Sequence, residues 1–245
     1  MSRHRRARIG HLAGFSKSAA TRLRPAAAGD DMVERPLQPL LRGVMHQWAT
    51  LLALSLTVVL VVLANSARPR IGAIVYGVGL VACLGVSAVY HRGRWSRRVK
   101  DALCRLDHST IFLLIAGTST PIVLLTLHGA FGASLLLVEW VGALCGIGIA
   151  VLWRRPPIWA EVGPYLLLGW LGLLAVPGLA LHFGPLGVIL LAGGGALYSI
   201  GALLYAMERP NPWPSTFGFH EVFHVFVTLA AATHAVLISL LVLSA

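Results

Sequence analysis

Residues 46–66 read HQWATLLALSLTVVLVVLANS, a stretch of 21 residues without Asp, Glu, Lys or Arg. As a helix rising about 1.5 Å per residue, this stretch covers roughly the 30 Å of a bilayer's hydrocarbon core. Six further segments of similar character follow, at about 71–90, 103–127, 130–153, 159–181, 184–206 and 219–243. Breakers stand between several of them: Arg68-Pro69-Arg70, Arg155-Pro156-Pro157, Gly184-Pro185, and the turn from Pro210 to Pro214. Composition agrees, since 57% of the chain is hydrophobic and 12% charged, against roughly 25% charged in soluble domains. The sequence therefore predicts an all-α, polytopic bundle of seven transmembrane helices over residues 46–245. Ahead of it lies a basic, disordered tail, residues 1–45.

The net charge of +11 does not point to nucleic acid, because the basic residues sit in the tail and in short connectors between apolar runs. Eighteen Lys or Arg fall in the tail and the alternate connectors that share its side, including Arg92, Arg94, Arg154, Arg155 and Arg209. The opposite connectors hold only Arg68 and Arg70. By the positive-inside rule the N-terminus is cytoplasmic and the C-terminus outside. The tail lacks the short apolar core of a signal peptide. Its Arg-rich start also fits a mitochondrial presequence, but lying on anionic lipid is the simpler reading. Cys83, Cys104 and Cys145 show no CxxC spacing, so neither a disulfide framework nor a thiolate zinc site is expected.

Ionisable side chains inside a membrane bundle are costly and mark function by default. Once topology is fixed, His91, Asp107, His108, His220 and His224 all fall at the cytoplasmic end of their helices. His220 and His224 are four apart, hence on one helix face, and can point two imidazoles at one ion. His91 at the same depth supplies a third. Three histidines leave a fourth position open for water, as a catalytic zinc site requires. Asp107 is placed to orient or deprotonate that water, and Ser87, one turn deeper than His91, to hydrogen-bond it or a developing oxyanion. Alone, the HxxxH pair would read as interhelical hydrogen bonding.

The same residues, His220-Glu221-Val222-Phe223-His224, also spell HExxH, the zinc protease helix in which Glu is the general base. None of the 21 residues after His224 is acidic, so a protease's third ligand has to come from another helix, with Asp107 the candidate. Glu221 reads more simply as an acid near Arg209 and its own helix N-terminus.

Four ordered motifs carry a family resemblance: Ser87-Ala88-Val89-Tyr90-His91, Leu106-Asp107-His108, Ile115 through Pro121, and His220 through His224. With lesser echoes at Gly169-Trp170, Gly194-Gly195 and Tyr198, the sequence resembles the hemolysin III and adiponectin receptor (PAQR) family over about residues 40–245. The resemblance implies a seven-helix bundle with a cytoplasmic N-terminus. It also implies zinc near the inner face on His91, His220 and His224, with Asp107 and Ser87 around the bound water. It brings expectations of lipid amide hydrolysis, with a ceramide-like substrate, of membrane-fluidity homeostasis, and of residence in a bacterial cytoplasmic membrane. Ser119 departs from the family pattern, which usually has Tyr there. The leading expectation is a zinc-dependent intramembrane hydrolase of a lipid amide or ester. A sensor or receptor with structural zinc is the alternative, ahead of a metalloprotease or a cytolysin.

Other polar residues are read as packing or interfacial. Glu139, toward the outer part of the fourth helix, suggests interhelical hydrogen bonding or a neutral carboxyl. His234 lies roughly 15 Å along its helix from His224, out of reach of the ion. His46 is expected at the interface, as are His128 and His182 on outer connectors, and His4 and His11 belong to the tail. Pro121 removes a helix hydrogen bond, so a kink is expected in the third helix.

Overall fold

The computed structural model describes residues 39–153 and 156–245. The tail up to residue 38 and the Arg154-Arg155 pair, on which part of the charge count rests, lie outside the described residues. Regular structure among the described residues is helical: α1 (Val44–Leu63), α2 (Ala67–Arg92), α3 (Arg97–Thr126), α4 (Gly129–Leu152), α5 (Ile158–Leu171), α6 (Val176–Ala206) and α7 (Phe219–Ser244). A 3₁₀ turn, Gly172–Ala175, joins α5 to α6. In hydrocarbon no water is available to satisfy N–H and C=O groups, so a spanning chain has to close its hydrogen bonds within itself, which a helix does.

Among the described residues, six helical runs are long and apolar enough to cross a membrane, the fifth being Ile158–Ala206 with 49 residues. As one rod that run would measure roughly 74 Å, more than twice a hydrocarbon core. It folds back instead. Gly184 interrupts it with φ 56° and ψ −144° ahead of Pro185, and across the bend Trp170 Nε1 donates to Ser199 Oγ at 3.0 Å. The expected break at Gly184-Pro185 is thus a hairpin bend between two apolar arms rather than an open connector.

The bundle is organised around α3, of whose apolar stretch 72% is buried, against 17% for α1. Apolar side chains such as Leu52, Leu137, Leu181 and Leu203 face outward, the arrangement of a surface solvated by lipid rather than water. Inside, α2 and α3 run antiparallel at close range. A Cβ on Gly79 would lie 2.9 Å from the Leu113 carbonyl oxygen, and one on Gly72 would lie 2.9 Å from Pro121 Cβ. Small residues are what let membrane helices approach this closely. Continued toward the other end of the pair, the same register brings Ser87 of α2 beside Asp107 of α3.

That end of the bundle also gathers the connectors. Leu40 and Leu41 N–H donate to the Ser215 and Thr216 carbonyls at 3.1 Å, and Gly43 lies against His91 at the end of α2. The basic residues of the α2–α3 and α6–α7 connectors therefore share one end, while Arg70 sits at the other, donating to the Ala64 carbonyl at the end of α1. Helix α3 starts at Arg97 rather than near 103, because its charged first turns project beyond the apolar stretch that hydropathy detects.

A packing test follows from the α2–α3 contact. Gly79→Ala is expected to force the two backbones apart at a cost of about 1–3 kcal/mol, as overpacked sites do. Gly148→Ala, where nothing lies within 4 Å of the added methyl, is expected to be neutral or slightly stabilising in its helix. Thermal unfolding midpoints in one detergent compare the two, and equal effects would contradict the register.

Candidate metal centre

Three elements deliver the histidines. His91 occupies the last turn of α2. His220 and His224 occupy the first two turns of α7, whose start is fixed locally: the Gly218 N–H donates to Glu221 Oε2 at 2.7 Å, and the Phe219 N–H donates to Asn211 Oδ1 at 3.2 Å. Satisfying these otherwise orphaned donors sets the first turn of α7, and His224 then follows His220 on the same face.

The predicted convergence is present. One ring nitrogen from each of His91, His220 and His224 lies within 4.8 Å of the others, and Nε2 of His91 is 3.1 Å from Nε2 of His220. For a tetrahedral ion with metal–nitrogen bonds of about 2.0–2.1 Å, neighbouring donors stand roughly 3.3 Å apart. The nitrogen set thus fits one small ion. His91 and His224 are buried and His220 half-buried. An all-imidazole donor set suits zinc and several other divalent ions.

Asp107 and Ser87 lie beside this cluster. Asp107 Oδ2 lies 3.9 Å from His91 Nε2, too far for a direct hydrogen bond, and the Ser87 side chain meets the Asp107 carboxyl. Both line a cavity of about 160 Å³ that runs from His220 and His224, past Ile115 and Ile122, to Leu191 and His234. A largely apolar cavity with a few polar groups on its wall is the usual form of a small-molecule site.

His108, grouped by depth with these residues, is not in the nitrogen cluster. Its Nδ1 lies 3.3 Å from Glu161 Oε1 of α5, and its carbonyl accepts from the Tyr165 hydroxyl. Glu221 is also engaged elsewhere: its Oε1 pairs with Arg42 at 2.5 Å and its Oε2 accepts from Gly218. The partner is Arg42 rather than Arg209, because the segment before α1 folds across the α6–α7 connector. With both oxygens occupied, Glu221 lacks the free carboxylate that an HExxH base needs.

Sequence reasoning missed His46. Expected at the interface, it is 3% exposed, with its ring stacked on His224 at a centroid distance of 3.9 Å and an interplanar angle of 15°. The depth argument that gathered the other residues applied equally to His46. Elsewhere, His234 Nε2 meets the Leu191 carbonyl at 3.2 Å, consistent with packing. Glu139 is fully buried; the Ser119 side chain of α3 meets its carboxyl, though among the described residues neither oxygen makes a hydrogen bond of good geometry. Cys83 is buried, Cys104 intermediate and Cys145 exposed, all three free.

Comparison with known proteins places the chain in a family. The sequence profile of the family described as "Haemolysin-III related" matches residues 35–235. The chain is 32% identical over 188 residues to "Hemolysin-3" of Bacillus cereus, covering 76% of this chain and 83% of that protein. It is equally identical over the same length to the "Hemolysin-3 homolog" of Bacillus subtilis, of which 85% is covered. More distantly, it is 28% identical over 189 residues to the "Adiponectin receptor protein" of Drosophila melanogaster, covering 66% of this chain and 41% of that protein. With its apolar helical runs and a match that takes in all three histidines, the chain is a multi-pass membrane protein belonging to the hemolysin III and adiponectin receptor family.

Proposed function

We propose that the protein is a zinc-dependent intramembrane hydrolase of a lipid amide or ester, with a ceramide-like lipid as the substrate class. The observation that carries this reading is the meeting of three imidazole nitrogens, a nearby carboxyl and an apolar cavity at one end of the bundle. In this reading the arms of the Ile158–Ala206 hairpin are two crossings, which makes seven. The N-terminus is cytoplasmic, supported by the charge asymmetry, and the membrane is a bacterial cytoplasmic membrane, supported by the Bacillus relatives.

His91, His220 and His224 would hold the ion. When bound, zinc supplies Lewis acidity and lowers the pKa of water toward about 7. Asp107, on the cavity wall beside the cluster, accepts the proton from the attacking water at a carboxylate oxygen and returns it to the leaving amine or alcohol. Ser87 donates its hydroxyl hydrogen to the Asp107 carboxylate and holds it in place. Ile115, Ile122 and Leu191 receive acyl chains and exclude bulk water, which strengthens every charge interaction at the site. A second reading, a membrane-fluidity sensor or receptor with structural zinc, draws support from the burial of His224 behind the His46 ring, as a closed structural site would have it.

Protein purified without chelator is expected to carry about one zinc per chain, and Ala at His91, His220 or His224 to remove most of it, because two ligands bind far more weakly than three. Elemental analysis measures this, and full occupancy in all three variants would refute the site. Asp107→Asn is expected to retain zinc and lose ceramide hydrolysis by on the order of 10² or more. Glu221→Gln is expected to lower thermal stability, through its weakened contact with Arg42, more than it lowers turnover. The reverse ranking of the two variants would favour an HExxH base. Absence of turnover of any lipid amide or ester by zinc-loaded wild type would favour the sensor reading. In both readings zinc binds only the folded state, so its removal is expected to lower the unfolding midpoint.

A further inference from the structure

A histidine that ligates a metal usually donates its other ring N–H to a carboxylate, carbonyl or water, which fixes the plane of the ring. Among the described residues no hydrogen bond to the His224 ring performs this task. The torsion that turns an imidazole about its Cβ–Cγ bond is broad, so an unheld ring swings its nitrogen away from the other two. What lies against His224 is the flat face of His46, 3.9 Å away and within 15° of parallel. His46 is itself buried, and among the described residues neither of its ring nitrogens makes a hydrogen bond of good geometry, the His224 backbone being the polar group beside the ring. Burying such a group costs stability, and its position is understandable if the ring serves as a plate rather than as a donor or acceptor.

The plate is held by the segment leading into α1. Leu40 and Leu41 are bonded to the α6–α7 connector, and Arg42 is paired with Glu221 in the first turn of α7. Gly43 adopts φ 75°, a left-handed conformation that glycine accepts readily. A Cβ there would stand 2.8 Å from His91 Cβ. One short strap thus touches the elements that carry all three ligands: the back of His91 through Gly43, and α7 through Arg42 and His46.

We propose that the strap Leu40–His46 is a positioning element of the metal centre. His46 sets the ring plane of His224 by stacking, and Gly43 sets the approach of His91. The proposal rests on the metal reading above and adds four residues, Leu40, Leu41, Arg42 and Gly43, that neither bind the ion nor line the cavity.

Cobalt(II) is the probe, because its visible absorption reports ligand geometry and its affinity can be read by competition with a coloured chelator, both independent of hydrolysis. Full-length protein in detergent is compared as wild type, His46→Phe, His46→Ala and Gly43→Ala, with helix content and cooperative unfolding checked for each. His46→Phe keeps the plate and removes the nitrogens, and is expected to match the wild-type spectrum and bind within about twofold of wild type. His46→Ala and Gly43→Ala are expected to bind at least tenfold more weakly with altered bands. Wild-type affinity and spectrum in His46→Ala would overturn the proposal. So would equal losses in the Phe and Ala variants, which would assign the effect to a ring nitrogen. If His46→Ala does not fold, the Phe and Gly43→Ala variants still decide the outcome, since a Phe variant with broken geometry or a Gly43→Ala variant with wild-type geometry contradicts it. Failure of the wild type to bind cobalt or zinc is a separate result, which removes the metal reading itself.

Discussion

Because the hydrocarbon core offers no hydrogen-bonding solvent, a crossing outside a closed barrel has to be a helix, and each helix has to end near one of two depths. Polar side chains, which are costly between those depths, accumulate at the ends. His91 closes α2, Asp107 follows the charged first turns of α3, and His220 and His224 open α7. Residues more than a hundred positions apart thus reach one level without any contact being specified in advance. Close packing then converts a shared depth into a site. The glycines that let α2 approach α3 fix the register that sets Ser87 beside Asp107, and the capped first turn of α7 brings His220 to within 3.1 Å of His91, nitrogen to nitrogen.

Much of this was legible in the sequence because hydropathy and helical spacing are one-dimensional signals. The apolar runs, the shared face of His220 and His224, and the common end of the basic connectors all follow from counting along the chain. Lateral relations were harder to read. Arg209 and Arg42 were both near the right depth to meet Glu221, and only the fold-back of the strap across the α6–α7 connector decides for Arg42. His108 matched the metal cluster in depth but meets Glu161 on α5 instead. His46 shares that depth, yet the sequence points it to the interface, because nothing in a helix-by-helix reading shows that the start of α1 is tucked inward.

The geometry also distinguishes the two carboxylates that the proposed hydrolase could use. In a soluble HExxH helix the glutamate faces the ion's water, whereas Glu221 is engaged by a cation and by the cap of its own helix. Asp107 instead lies on the cavity wall, 3.9 Å from His91 Nε2, with a largely apolar chamber extending toward Leu191. In the proposed hydrolase, a carboxyl in a largely apolar cavity suits a substrate whose polar group sits at the membrane surface while its chains remain in the bilayer. The hydrolase reading therefore depends on Asp107 as much as on the histidines.

The central claim is that three imidazoles hold one zinc ion, and X-ray absorption at the zinc edge of the purified protein tests it most directly. The account predicts a first shell of three nitrogen donors and one further light donor at about 2.0–2.1 Å, with the imidazole outer-shell pattern reduced in the His91→Ala protein. A zinc-free protein, or a shell containing sulfur at about 2.3 Å, would contradict it.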